Sequence, residues 1–397
     1  MKSLVGLAII ALLAVFGSRL LERHWHIPGP LKSVFGGGLI YLVAGYVLGP
    51  SMLGYVTGEV TVHLSPVVTI GLFWIAFLFG INLKWRDLRR LHNTLFLFVF
   101  GQAFAVVAVV GVAFWFLLPS VFGEIPLREL TAAVLTLAAC ASGTGQATLF
   151  RLKMNRNFRG PTAQTASVAA TLDDLPAIIV TGLVTFFLHE ATPAETHPPG
   201  FAWLGLAVSI GGLGGWVVEL LLRRADNDQA RLLLILGCMS VGGGICAYLS
   251  IAPVFVGAIM GVVYVNLSPR DDRVFEIVTR SESTLYVVFL ILVGTIVKLQ
   301  LEQLAILGAV FVGVRILGKV GGGALFQHWL RLPQNPSPAV GLALIAQGGL
   351  AIALAIQYAR VFPSALADTV VTVVIASVVV NAVYAEPLAL RAARAKR

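Results

Sequence analysis

Two adjacent carboxylates, Asp173 and Asp174, stand in the run Thr171-Leu172-Asp173-Asp174-Leu175-Pro176, near the middle of an apolar segment from roughly residue 164 to 188. A side-chain charge at the centre of a bilayer helix costs about 2.5 to 3.5 kcal/mol, so two kept there point to use. Neighbours on a helix lie about 100° apart, so one carboxylate can meet a partner inside a bundle while the other faces a water-filled cavity. Pro176 removes a backbone donor and frees a carbonyl nearby, a defect tolerated in membranes where neighbours or water satisfy it. The deepest basic residues are Arg315 and Lys319, four positions apart and therefore on one helix face. A buried lysine opposite two buried carboxylates is the partner the electrostatics asks for, and a pairing of Lys319 with this acidic pair is expected. Such a pair would also lock two helices together.

Three other chemistries fit less well. Gly313-Val-Arg-Ile-Leu-Gly318-Lys319 matches the start of a phosphate loop, but Val320 stands where a magnesium-binding hydroxyl belongs and the run lies inside an apolar span. An intramembrane aspartyl protease needs two acids converging on one water from separate helices, whereas adjacent acids on one helix diverge. Cys140, Cys238 and Cys246 all fall in apolar spans without paired spacing or nearby histidines, so neither disulfides nor zinc are implied. Nothing calls for a cofactor.

The elements that must position these residues are membrane helices. Of 397 residues 58% are hydrophobic and 12% charged, with a mean hydropathy of +0.89, the composition of an all-α polytopic membrane protein. A net charge of +9 would suggest nucleic acid in a soluble chain, but here it reflects topology and no nucleic-acid partner is expected. Apolar segments lie at roughly 3–21, 34–50, 66–82, 93–118, 128–151, 164–188, 201–222, 230–249, 251–267, 281–297, 303–327, 336–358 and 365–386, about thirteen spans. The first resembles a secretory signal, but it lacks an A-x-A-like site and ends among Arg19, Arg23 and Lys32. Twenty-two of the 28 Lys and Arg fall in the connections after odd-numbered spans and four in the alternate ones, while Arg315 and Lys319 lie inside a span. That asymmetry places the N-terminus outside and the C-terminus in the cytoplasm of a multi-pass protein of the cell (inner) membrane.

Two spans are interrupted by glycine, the fifth at Ser142-Gly143-Thr144-Gly145 and the twelfth at Gln347-Gly348-Gly349. They are seven spans apart, and an odd offset inverts topology. Gly45 and Gly49 in the second span are matched by Gly257 and Gly261 in the ninth, at the same offset. Paired broken helices in corresponding halves mark the binding site of inverted-repeat transporters. Clusters at Gly36 to Gly38, Gly211 to Gly215 and Gly242 to Gly244 read as close helix packing.

Several motifs together resemble the bacterial cation:proton antiporter superfamily, in particular sodium/proton antiporters of the NapA and NhaA kind, over nearly the whole length. They are Gly45 with Leu48-Gly49-Pro50 and Leu53-Gly54, Phe79-Gly80-Ile81-Asn82-Leu83 with Leu88-Arg89-Arg90, the Asp173-Asp174 pair, and Leu317-Gly318-Lys319-Val320-Gly321. The resemblance implies cation and proton binding at Asp174, a salt bridge from Asp173 to Lys319, and two crossed discontinuous helices. It further implies a dimerisation domain from residues 1–92 and 230–300, a core transport domain from 93–190 and 301–390, a linker helix at 201–224, a homodimer in membrane lipid, and elevator-like movement. The chain departs from the family pattern at Gln347 and Gly349, where relatives often carry Arg and Glu, and at Asn82, where they often carry an acid. Arg315 is an added cation whose role stays open.

The expected activity is exchange of a small monovalent cation for protons, sodium first, with lithium or potassium as alternatives. A sodium-coupled organic anion symporter of similar architecture is the more distant reading. A carboxylate in a poorly solvated cavity holds a proton until a cation with oxygen ligands displaces it, and only a loaded site crosses cheaply. Asp174 would be the charged ligand for Na+. Ser142, Thr144, freed carbonyls and water are the candidate neutral oxygens, a set suited to a hard cation.

Overall fold

The computed structural model describes residues 9–13, 38–154, 158–188, 199–268, 272–300, 302–332 and 335–394, and within them every regular element is an α-helix. In chain order these are α1 (Leu39–Leu48), α2 (Gly58–Ile81), α3 (Trp85–Leu88), α4 (Asn93–Phe122), α5 (Leu127–Ser142), α6 (Gln146–Met154), α7 (Pro161–Leu172), α8 (Asp174–Leu188), α9 (Gly200–Leu222), α10 (Asp228–Tyr248), α11 (Pro253–Leu267), α12 (Asp272–Ile296), α13 (Leu304–Leu330), α14 (Val340–Ala343), α15 (Gly349–Val361) and α16 (Ala365–Arg394). Among the described residues nine stretches are long and apolar enough to cross a membrane, while α1, α11 and α15 are shorter apolar helices. Two of the nine, 127–153 and 161–188, are each built from two helices. All twelve apolar segments expected from residue 34 onward fall on these helices. The first, 3–21, lies outside the described residues except for 9–13, which are helical. Arg19, Arg23, Lys32 and Gly36 also lie outside them.

The chain forms two compact units. One contains Gly38–Arg90 and Thr185–Lys298 and is held by α2 on α11, α1 on α12, and α9 and α10 against α11 and α2. Glycine lets these backbones meet: a Cβ on Gly45 would strike the Ile291 carbonyl, and one on Gly257 would stand 2.6 Å from the Phe73 carbonyl. The paired Gly-x-x-x-Gly runs are therefore contact surfaces, as small residues are wherever membrane helices approach closely. The stretch 201–224, expected as a linker helix, packs on this unit through Gly211 and Gly215 of α9, which seat against Ile259 and Val263 of α11. Its other face presents Phe201, Leu213 and Trp216 outward, the surface a lipid environment admits.

The second unit contains Leu91–Val184 and Leu299–Arg397. Here α4 lies along α13, with Gly318 against Val106 and Gly322 against Ala105 and the Gln102 backbone. Contacts repeat at the seven-span offset. The α1–α12 packing is matched by α11–α2, α4–α5 by α13–α14, α6–α7 by the seating of α14 and α15 on α16, and α4–α7 by α13–α16. The inverted repeat first visible as glycine spacing is thus a repeat of packing.

Candidate functional site at the crossing of two interrupted helices

Helix α5 stops at Ser142, residues 143–145 run without helix, and α6 resumes at Gln146. Gly143 is extended at φ −71° and ψ 153°. In the other half, α14 ends at Ala343, residues 345–348 run without helix and end on an extended Gly348, and α15 opens at Gly349. The two runs cross: the Gly145 amide donates to the Ala346 carbonyl at 3.0 Å. A Cβ on Gly145 would lie 2.9 Å from the Gln347 carbonyl, and one on Gly348 3.1 Å from Gly145 Cα. Glycine at these places is a condition of the crossing.

A buried helix end leaves carbonyls that need donors. Side chains supply them here one by one. The Ala139 carbonyl accepts from the Ser142 hydroxyl at 2.9 Å, Cys140 from Gln347 Nε2 at 2.9 Å, Ala141 from Arg315 Nε at 3.0 Å, Ser142 from Lys319 Nζ, and Gly143 from Arg315 Nη2 at 2.9 Å. Across the crossing, Ile345 accepts from Arg315 Nη1 at 2.6 Å and Ala346 from Arg315 Nη2 at 3.3 Å, while the Leu344 carbonyl stands 3.2 Å from Thr144 Oγ1, whose single proton it shares with the closer Asp173. Arg315 is wholly buried and spends its guanidinium on four backbone carbonyls, two from each break. That answers the question its sequence position left open. It also means that the carbonyls of Ala141, Ser142, Gly143, Ile345 and Ala346 each already accept from Arg315 or Lys319.

The carboxylates are positioned by a second irregularity. Pro176 cannot donate to the carbonyl four residues earlier, and α7 ends at Leu172 while α8 starts afresh at Asp174 with Pro176 in its first turn, where no donor is needed. Asp173 occupies the joint, at φ −76° and ψ −9°. It is wholly buried and saturated with donors: Lys319 Nζ at 2.8 Å, the Thr144 amide at 3.1 Å, the Thr144 hydroxyl, and Gln102 Nε2 at 3.5 Å. Lys319 is equally buried and also donates to Thr144 Oγ1 at 2.9 Å. Asp174 is different. It is 8% exposed, among the described residues no side chain donates to it, and its Oδ1 lies over Gly143, where a Cβ would collide with it.

The structure therefore gathers Asp173, Asp174, Lys319, Arg315, Ser142, Thr144, Gly143, Gly145 and Gly348 at one crossing, with Gly349 opening α15. Of the two candidate hydroxyls, Thr144 is engaged by Asp173, Lys319 and Leu344, whereas Ser142 is tied only to its own helix. Gln347, which replaces a family charge, accepts from Ser377 at 2.8 Å and Asn381 at 3.1 Å, so a neutral network from α16 holds the second break. Asn82 is elsewhere: it caps α2, donating to the Leu78 carbonyl at 2.8 Å in the other unit. Sequence reasoning passed over Gln102. The available signal was a lone amide between Leu95 and Pro119 of an otherwise apolar helix.

Comparison with known proteins bears on the fold and the family. The chain is similar in fold to the sodium proton antiporter MjNhaP1 from Methanocaldococcus jannaschii in two structures. One has a TM-score of 0.67 at 17% identity, covering 99% of this chain and 100% of that one. The other has a TM-score of 0.64 at 19% identity, covering 98% of each. It is 22% identical over 329 residues to a glutathione-regulated potassium-efflux system protein of Haemophilus influenzae, a match over 79% of this chain that spans only about half, 50%, of that relative. The family model for the transmembrane region of sodium/hydrogen exchangers matches residues 7–391, and this multi-pass membrane protein belongs to that family.

Proposed function

We propose that the protein is a secondary antiporter that exchanges a monovalent cation, sodium in the first instance, for protons, with Asp174 as the carrier of both. One observation carries the reading: two adjacent buried carboxylates differ in state, Asp173 being filled with donors and Asp174 being open beside Gly143. A carboxylate without side-chain donors, held only by the Thr144 backbone, in a poorly solvated place can hold either a proton or a cation with its water, and competition between the two couples their movements. Ser142, backed by water, is the neutral oxygen with capacity to spare. Asp173 and Lys319 act as the coupling pair. When a cation loads Asp174 the pair parts, so that a cycle moves one cation against more than one proton and carries net charge. The unit containing the crossing is the transport core, moving as an elevator against a dimerisation unit built around α1, α2, α10 and α11.

The test is purified protein in proteoliposomes under an imposed proton gradient, read by dequenching of a pH-sensitive dye on adding lithium, sodium or potassium. Asp174→Ala should abolish the cation-induced signal while the protein remains folded and inserted. Exchange by that variant near the wild-type rate would remove Asp174 from the site. Repeating the wild-type measurement with the potential clamped at zero and at about −100 mV, where each net charge contributes about 2.3 kcal/mol, tests electrogenicity. Equal exchange at both potentials would favour one-for-one exchange.

Potassium/proton exchange is the second reading, favoured by the potassium-efflux relative. A potassium response exceeding that to sodium would select it. An organic anion symporter would need Arg315 as a free cation, and four of its five N–H groups are already given to carbonyls.

A further inference from the structure

Gln102 of α4 brings to the crossing a buried side-chain oxygen that has no hydrogen-bond partner among the described residues. Its side chain is wholly buried, its Nε2 stands 3.5 Å from Asp173 Oδ2, at the outer limit of a hydrogen bond, and its Oε1 is buried without any partner. Turning the amide over exchanges its ends and still leaves one unsatisfied. A buried polar atom in that condition costs about 1 to 3 kcal/mol, so a residue kept in it invites the question of what satisfies it in another state. The backbone holds it in place, because α13 approaches it so closely that a Cβ added to Gly322 would lie 3.4 Å from the Gln102 carbonyl. That contact sits one turn from Lys319.

Lys319 has three N–H groups, and all are in use: one on Asp173, one on the Ser142 carbonyl and one on Thr144 Oγ1. If the pair parts, Lys319 has one N–H without an acceptor and Asp173 loses its charged donor. Arg315 cannot replace it, since its guanidinium is committed to both breaks. The hydroxyls of Thr136 and Thr165 are also buried without partners, but neither hydrogen-bonds to the pair. Gln102 carries a donor and an acceptor on one rigid plane beside Asp173, the complement of the two groups a parted pair leaves behind.

We propose that Gln102 is a further positioning residue for exchange, bridging Asp173 and Lys319 when they separate: its Nε2–H closes on the carboxylate and its Oε1 accepts from the ammonium. This rests on the antiporter reading above, and it assigns the parted state a definite structure. In the closed pair the amide contributes little and leaves one end idle. In the parted pair both ends are satisfied.

The experiment measures thermal unfolding of detergent-purified protein with and without saturating sodium chloride or potassium chloride, against choline chloride at equal ionic strength. Wild type should gain Tm on adding one of the two cations. Gln102→Met, which keeps length and helix preference, should match or exceed the wild-type Tm in choline, since it removes the idle buried oxygen. Its cation-induced gain should shrink, with the half-saturating cation concentration rising about tenfold, the worth of one hydrogen bond to a charged group. Gln102→Glu is the second variant: a carboxylate there competes with Asp173 for Lys319, so it should fold and lose most cation-driven exchange in proteoliposomes. A Gln102→Met protein that melts lower in choline but keeps the full cation response would make Gln102 a packing residue, and so would a Gln102→Glu protein exchanging like wild type. No cation response in wild type would instead overturn the antiporter reading and this proposal with it.

Discussion

Two residues of one type, next to each other in sequence, do unlike work because a helix joint separates them. Asp173 sits in the joint, where its carboxylate collects an ammonium, an amide and a hydroxyl, while Asp174 begins the next helix and points over a glycine. Lys319 is the hinge of that asymmetry. Lys319→Gln strands a buried carboxylate, and breaking a buried pair from one side typically costs about 3 to 5 kcal/mol, so this variant should melt well below wild type. Asp173→Asn combined with Lys319→Gln leaves no charge stranded and should recover part of the loss. Thermal unfolding of the two single variants and the double variant checks this: additive losses would mean that the pair does not act as a unit.

Among the elements, α13 governs the site because it passes both breaks without interruption and gives each of them two donors from Arg315. Arg315→Met should therefore remove donors from four buried carbonyls at about 1 kcal/mol or more each, a loss that Arg315→Lys, with three donors and no planar fork, recovers only in part. The readout is Tm together with yield of folded protein; wild-type stability in Arg315→Met would show that water serves those carbonyls equally well. The helices, their interruptions and the Asp173–Lys319 pair were legible because each leaves a mark in residue type: apolar runs, glycine inside them, and charge where charge is costly. The work of Arg315 was not legible, since its partners are backbone carbonyls, which every residue has. Spacing gave Arg315 and Lys319 one face but could not say that one meets a carboxylate and the other the peptide chain. Gln347 was noticed for the charge it lacks, whereas its ties to Ser377 and Asn381 depend on α16 folding back across the break.

At the scale of the whole molecule, the charge asymmetry of the connections makes a prediction independent of the site. A cysteine replacing Arg90, in the connection after the third span, should be shielded from an impermeant thiol reagent in intact cells. One replacing Thr192, which lies outside the described residues, should react. The reverse labelling pattern would overturn the thirteen-span arrangement. The same inverted repeat also governs the order in which the protein can be completed during synthesis. The surface of α1 at Gly45 is shaped for the backbone at Ile291, and the surface of α2 at Phe73 for Gly257, so neither of these early helices meets its partner until most of the chain has been made. Contacts this distant in sequence are slow to form and leave interfaces uncovered meanwhile. The glycine seam of α1 must therefore wait in the membrane uncovered, and a ribosome that stops before α12 releases a chain in which α1 lacks the helix it closes against.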